Sequence, residues 1–180
     1  LKKLLAAIIV TLSAASAMAD VYVGPEQMTQ AGRVFKLAFQ QKNSNRAIYE
    51  YTENNETAKN WSTLVTLNYT AQSNIDARAW ANATKTSLDR IKPKPHYDIY
   101  LKGDTAYARM IFAPDAANPD YEANMQKSFH LAGCGTVVLQ YAMKFSKTTE
   151  LSAIKTETDK MAAQMEQDAW QPVCGQAASP

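Results

Sequence analysis

TVVLQYAMKF, residues 136–145, decides what kind of protein this chain makes. Val137, Leu139, Tyr141, Met143 and Phe145 alternate with Val138, Gln140, Ala142 and Lys144. Successive side chains of a strand point to opposite faces, so this spacing sets one apolar face against a core. The next stretch keeps a different period. From about 149 to 170, Leu151, Ile154, Thr158, Met161, Met165 and Ala169 recur at steps of three and four, which puts one stripe along a helix. The strand spans about 33 Å and the helix returns about 30 Å. Laid antiparallel, the two carry Cys174 back beside Cys134, and a disulfide closing a loop of about 40 residues contributes about 4 kcal/mol. Two free thiols are the competing reading. Metal would need more soft ligands than these two cysteines.

Upstream, Phe35, Leu37 and Phe39 alternate within 34–39, and QKNSN makes a turn into a second strand, RAIYEYT, at 46–52. LVTLNYT, 64–70, is a third strand, rich in β-branched and aromatic residues. The pattern then turns helical. Ser73 or Asn74 can cap, Asp76 suits a first turn, and Ile75, Ala79, Ala83 and Ile91, flanked by Trp80 and Leu88, form a stripe that Pro93 and Pro95 end. Residues 97–101 and 106–112 flank KGDT, a hairpin turn. APDAANPDYEANMQ, 113–126, reads as a loop with at most one helical turn. The sum is an α+β fold: a mainly antiparallel sheet of about six strands, with both helices packed on one face.

The ends predict export. Lys2 and Lys3 precede an apolar run from Leu4 to Leu12, and Ala17-Met18-Ala19 fits the small-residue pattern of signal cleavage. That run is shorter than the roughly 20 residues a membrane span needs. The predicted organisation is a signal peptide at 1–19, one domain at 20–172 and a tail at 173–180 in which Cys174 is tethered. The chain carries 19 basic and 17 acidic residues; without Lys2 and Lys3 it balances at 17 against 17. A neutral chain argues against nucleic acid, which selects for basic patches. A periplasmic location, no stable membrane insertion after cleavage, and a disulfide-permissive compartment follow.

The densest polar stretch is EYTENNETAKNWSTLVTLNY, 50–69. Glu50, Glu53 and Glu56 do not follow the offsets of a calcium loop, which also needs a central glycine. They read mainly as a polar turn closed by Trp61, with Glu50, Glu53, Glu56 and Trp61 as the candidate binding surface. This segment resembles a stretch of small exported bacterial proteins of unassigned function. The order of elements resembles the Mog1/PsbP-like α+β sandwich, which implies binding and assembly rather than catalysis. Seven strand tyrosines, Tyr49, Tyr51, Tyr69, Tyr97, Tyr100, Tyr107 and Tyr141, suit either an interface or a sheet whose hydroxyls reach water.

Catalytic patterns are thin. His130 stands four residues before Cys134, so a Cys-His pair is conceivable only with Cys134 free. Ser128 and His130 lack the nucleophile elbow and a third member. His96 reads as a surface residue, and six glycines form no phosphate-cradling loop. The expectation is an accessory, assembly, inhibitor or immunity-type module that holds another envelope or secreted protein, without cofactor, metal or catalytic residue. The alternatives are a small hydrolase or thiol enzyme using Cys134 and His130, and a carrier of an apolar ligand beneath the two helices.

Overall fold

A computed structural model describes residues 22–53 and 55–174; the predicted leader at 1–19 and residues 175–180 of the predicted tail lie outside these described residues. The chain runs β1 (Gln27–Gln30), β2 (Arg33–Lys42), β3 (Arg46–Thr52), β4 (Thr63–Ala71), α1 (Ala77–Leu88), β5 (His96–Lys102), β6 (Thr105–Phe112), β7 (Tyr121–Leu131), β8 (Gly135–Phe145) and α2 (Leu151–Gln167). All eight strands join one antiparallel sheet in the order β1-β2-β3-β4-β8-β7-β6-β5. The sheet curls, with about 45% of the described residues in strands and about 19% in helices. The fold is therefore mostly sheet, not the α+β arrangement of about six strands that the sequence predicts. The two additional strands are β1 and β7.

Two four-stranded meanders build the sheet, and each consists of sequence neighbours joined by tight turns or, at 53–62 and 113–120, by longer loops. They meet at one seam, where β4 pairs with β8 from Thr63 opposite Met143 to Ala71 opposite Gly135. Glycine is required at that last pair. Gly135 has φ +146°, and a Cβ there would stand 2.1 Å from the Thr70 carbonyl oxygen.

Strand parity divides the sheet into an inner and an outer face. The inner face carries Phe35, Tyr49, Tyr51, Val65, Leu67, Val137, Leu139 and Met125, each at most 1% exposed. Helix α2 covers its far half. Ile154 packs with Ile111 and Ala123, while Met161, Ala162 and Met165 join Tyr107 and Met125. Each fully buried side chain of this size is worth about 1.5–3 kcal/mol. The sequence places the α2 stripe correctly from Ile154 to Met165; the helix ends at Gln167, leaving Ala169 outside it and exposed.

Helix α1 lies on the opposite face. Its Leu88 and Trp80 pack on Ala108, Met110, Tyr97 and Ile99, which have the opposite parity on β5 and β6 from Tyr107 and Ile111. The two helices thus sandwich the β5–β7 half of the sheet and do not share one face. Topology is the cause: α1 carries the chain from central β4 across to edge strand β5, and α2 follows only after β8 has closed the seam. Asp76 caps α1 by accepting the Ala79 N–H at 2.7 Å. With Asp76 as the cap, Ile75 precedes the helix and is 45% exposed. The packing face consequently runs Ala77, Trp80, Ala81, Thr84 and Leu88, while Ala79 and Ala83 face solvent.

The cysteines are bonded, Cys134 to Cys174, across 40 residues of chain. The bond ties the segment after α2 to the β7–β8 turn. Trp170 in that segment meets Phe129 edge-on at 5.7 Å. Lys127, buried on the inner face, donates to the α2-terminal carbonyl of Asp168 at 3.0 Å. A cation at a helix C-terminus is favourable, because the last carbonyls carry partial negative charge.

Candidate functional site

The polar stretch separates into parts with different jobs. Glu53 pairs with Arg33, whose Nε donates to Glu53 Oε1 at 2.9 Å and whose Nη1 donates to the Tyr141 hydroxyl at 3.0 Å. That pair closes the rim of the inner core. Glu56 accepts the Ser62 N–H at 3.1 Å and the Ser62 hydroxyl at 2.7 Å, and Thr52 donates to the Glu56 carbonyl at 2.9 Å. These bonds, with the Thr57–Asn60 bridge, make residues 56–62 a locked turn. Trp61 sits beneath Lys144, whose ammonium lies 4.1 Å from the ring centroid.

Glu50 is different. It lies on the outer face, paired across the sheet with Phe39 on one side and Thr66 on the other. It is half-buried and has no hydrogen-bond or ion-pair partner among the described residues. Burial raises its carboxyl above the ordinary glutamate range.

No helix covers the outer face around Glu50, although Thr66 beside it is only 4% exposed. Helix α1 packs on β5, β6 and β7; on β2, β3, β4 and β8 the outer face is closed at one end by the 56–62 turn, with Thr52, Leu64 and Ala142 buried there. One cross-strand row runs Phe39, Glu50, Thr66, Gln140 and Gln126. Gln126 Nε2 donates to Gln140 Oε1 at 2.6 Å. Val34 and Phe39 stand 53% and 43% exposed on this face, and Ile48 and Val138 are half-buried. Four strands at about 4.8 Å spacing make the open area roughly 15–20 Å wide. Phe39 reaches this face through an irregularity in β2. The register shifts between Leu37 and Phe39, a bulge that sends Phe39 outward although Phe35 points into the core. The sequence alternation places both on one side, and it does not anticipate the bulge. Gln140 was legible, since it alternates with core residues Leu139 and Tyr141.

The structure keeps the other candidate groups apart. Cys134 packs on the inner face, where the Tyr69 hydroxyl lies 3.7 Å from its sulfur. His130 instead borders an outer groove with Asp76, Arg78 and Asp104. Ser128 Oγ accepts the Ala106 N–H at 3.3 Å. His96 opens β5 and is exposed. The helices, being on opposite faces, enclose no common pocket for an apolar ligand. Among the described residues, no three His, Cys, Asp or Glu side chains converge as metal ligands, and no helix is long and apolar enough to cross a membrane. Tyr49, Tyr51, Tyr69, Tyr107 and Tyr141 are buried, so these rings serve the core and not an exposed interface.

The chain belongs to a protein family whose model matches residues 22–170. No curated protein and no solved structure matches it. Family membership brings no activity or partner with it, and no link to the Mog1/PsbP-like arrangement is shown: the element order expected for it is not the one observed, with eight strands and helices on opposite faces.

Proposed function

We propose that this family member is an exported, non-enzymatic binding protein that docks another envelope or secreted protein on the open outer face of its sheet. One observation carries the reading: Glu50 is a half-buried carboxylate with no hydrogen-bond or ion-pair partner among the described residues, set beside an exposed Phe39 on a face that no helix covers. Holding a carboxylate in that environment costs stability unless a cation completes it. An aromatic anchor next to a desolvated charge is the composition of an interface hot spot. The partner is therefore a protein that presents an arginine or lysine flanked by apolar side chains. The charged n-region, the short apolar run and the Ala17-Met18-Ala19 pattern support cleavage after Ala19 and a periplasmic location. The disulfide is compatible with such a compartment.

The test replaces Phe39 with a photo-crosslinking residue in the native envelope and compares captured proteins in a Glu50→Gln background. The expected result is one or a few defined adducts, weakened tenfold or more by Glu50→Gln while the melting temperature holds or rises. The rise follows from sign: a carboxyl whose folded pKa is raised penalises the native state above that pKa, and glutamine removes the penalty. An adduct pattern unchanged by Glu50→Gln refutes the docking face. A self-adduct, with a dimer that Glu50→Gln dissolves, assigns the face to a second copy instead.

A further inference from the structure

A second concavity lies away from Glu50, between the β1–β2 hairpin and the end of α2. It has a volume of about 740 Å³, within the range of small-molecule sites. Gln27 and Thr29 project from β1, Gln164 and Gln167 from the last turn of α2, and Asp168 and Trp170 from the segment beyond. The three glutamine side chains are exposed, and no other described residue engages their amides.

Each feature narrows the ligand. Among the described residues, no lysine, arginine or histidine lines the groove, and a phosphate or carboxylate ligand would need such a charge. Pro25, Met28 and Ala31 add apolar wall beside Trp170, so an acyl chain is the competing ligand, and the exposed amides are what favour a hydroxyl-rich one. A glutamine amide offers a donor pair and an acceptor side by side, the combination that meets adjacent hydroxyl groups, each of which both gives and takes a hydrogen bond. Trp170 adds a rigid, half-buried ring held edge-on to Phe129. Its position is fixed by the backbone N–H donated to Asp168 Oδ1 at 2.8 Å and by the disulfide four residues on. A tryptophan face suits the C–H side of a sugar ring. The neighbouring edge strand β1 has four residues, too short a template to capture a peptide by strand addition.

We propose that this groove binds a neutral saccharide chain, with Gln27, Gln164 and Gln167 reading its hydroxyls and Trp170 stacking on a ring. The site is independent of the Glu50 face.

The test titrates the isotope-labelled, disulfide-bonded protein with chitotriose, cellotriose and maltotriose, with trigalacturonate, octanoate and tetraglycine as comparison probes. The expected result is saturable movement of the Trp170 indole and glutamine amide resonances with at least one neutral sugar. Gln164→Ala/Gln167→Ala should bind it about tenfold more weakly or worse, since two hydrogen-bonding amides are lost. Glu50→Gln should bind it as the parent does, so failure here is separable from failure of the docking face. The proposal is overturned if none of the three sugars binds, if trigalacturonate, octanoate or tetraglycine binds as well, or if the double variant keeps full affinity with an unchanged fold.

Discussion

Removing the Cys134–Cys174 bond perturbs the protein in a way whose size can be worked out. The bond spans 40 residues, and the loop-entropy relation for that length gives about 4 kcal/mol at 25 °C. In the native state little else should change. Trp170 still has Phe129, and Lys127 still holds the end of α2, so the segment after the helix has reasons to stay docked. The loss should therefore come mainly from freeing the unfolded chain. Cys134→Ala, Cys174→Ala and the double variant should each lose about 2–4 kcal/mol, with the double no worse than the singles, because all three remove the same constraint. For a domain near 150 residues, at about 2–4 °C per kcal/mol, this is a fall of roughly 4–16 °C. Calorimetry on the oxidised parent and the three variants measures it. A double variant melting with the parent would refute the entropic account. So would a double variant losing the sum of both singles, since the cysteines would then act through separate contacts.

Three further outcomes follow from the packing. Leu88→Ala and Ile154→Ala should each cost about 2–5 kcal/mol, and the double variant should show their sum within about 0.5 kcal/mol, because the helices sit on opposite faces; strong coupling in denaturant titrations would contradict that placement. Phe35→Ala should cost about 3–5 kcal/mol and Phe39→Ala within about 0.5 kcal/mol, and equal losses by thermal melting would mean the β2 bulge is misplaced. Glu166 is held below the ordinary glutamate range by the hydrogen bond from Lys102 and then that from Tyr100. A lowered folded pKa stabilises above the unfolded value of about 4.5 and fades as pH falls below it. The stability gap between parent and Glu166→Gln should thus be full at pH 6–7 and shrink below pH 4.5, and a gap that widens on acidification would reverse the sign.

What could be read from sequence was whatever depends on local period. The alternation of Val137, Leu139 and Tyr141 places β8, and the steps from Ile154 to Met165 place the buried side of α2. The disulfide followed from two lengths laid side by side. The misses have non-local causes. On β7 the inner residues are Tyr121, Ala123, Met125, Lys127 and Phe129, and a lysine inside that series breaks the apolar alternation. Lys127 is buried because the carbonyls of α2, about 40 residues later, need a cation, and no local window contains that fact. Which face each helix covers depends on the β4-to-β5 crossing, again invisible to periodicity. The outer face was half legible: parity puts Glu50 opposite Tyr49 and Tyr51, but a one-residue bulge brings Phe39 beside it. Glu53 belongs elsewhere because Arg33, 20 residues earlier, claims it.

The seam between β4 and β8 has a consequence for how the molecule assembles. Each meander is low in contact order, whereas the seam joins residues about 70 apart, so loop closure there should limit the folding rate. Until it closes, β4 and β8 are bare, apolar strand edges, and any complementary edge can take the vacancy. Another copy offers the identical nine-pair register. With α1 and the connection carrying Pro93 and Pro95 as the hinge, two chains could exchange meanders and rebuild every strand pairing in a swapped dimer. Concentration during refolding should decide between the two products: dilute chains close on themselves, and crowded chains trade halves.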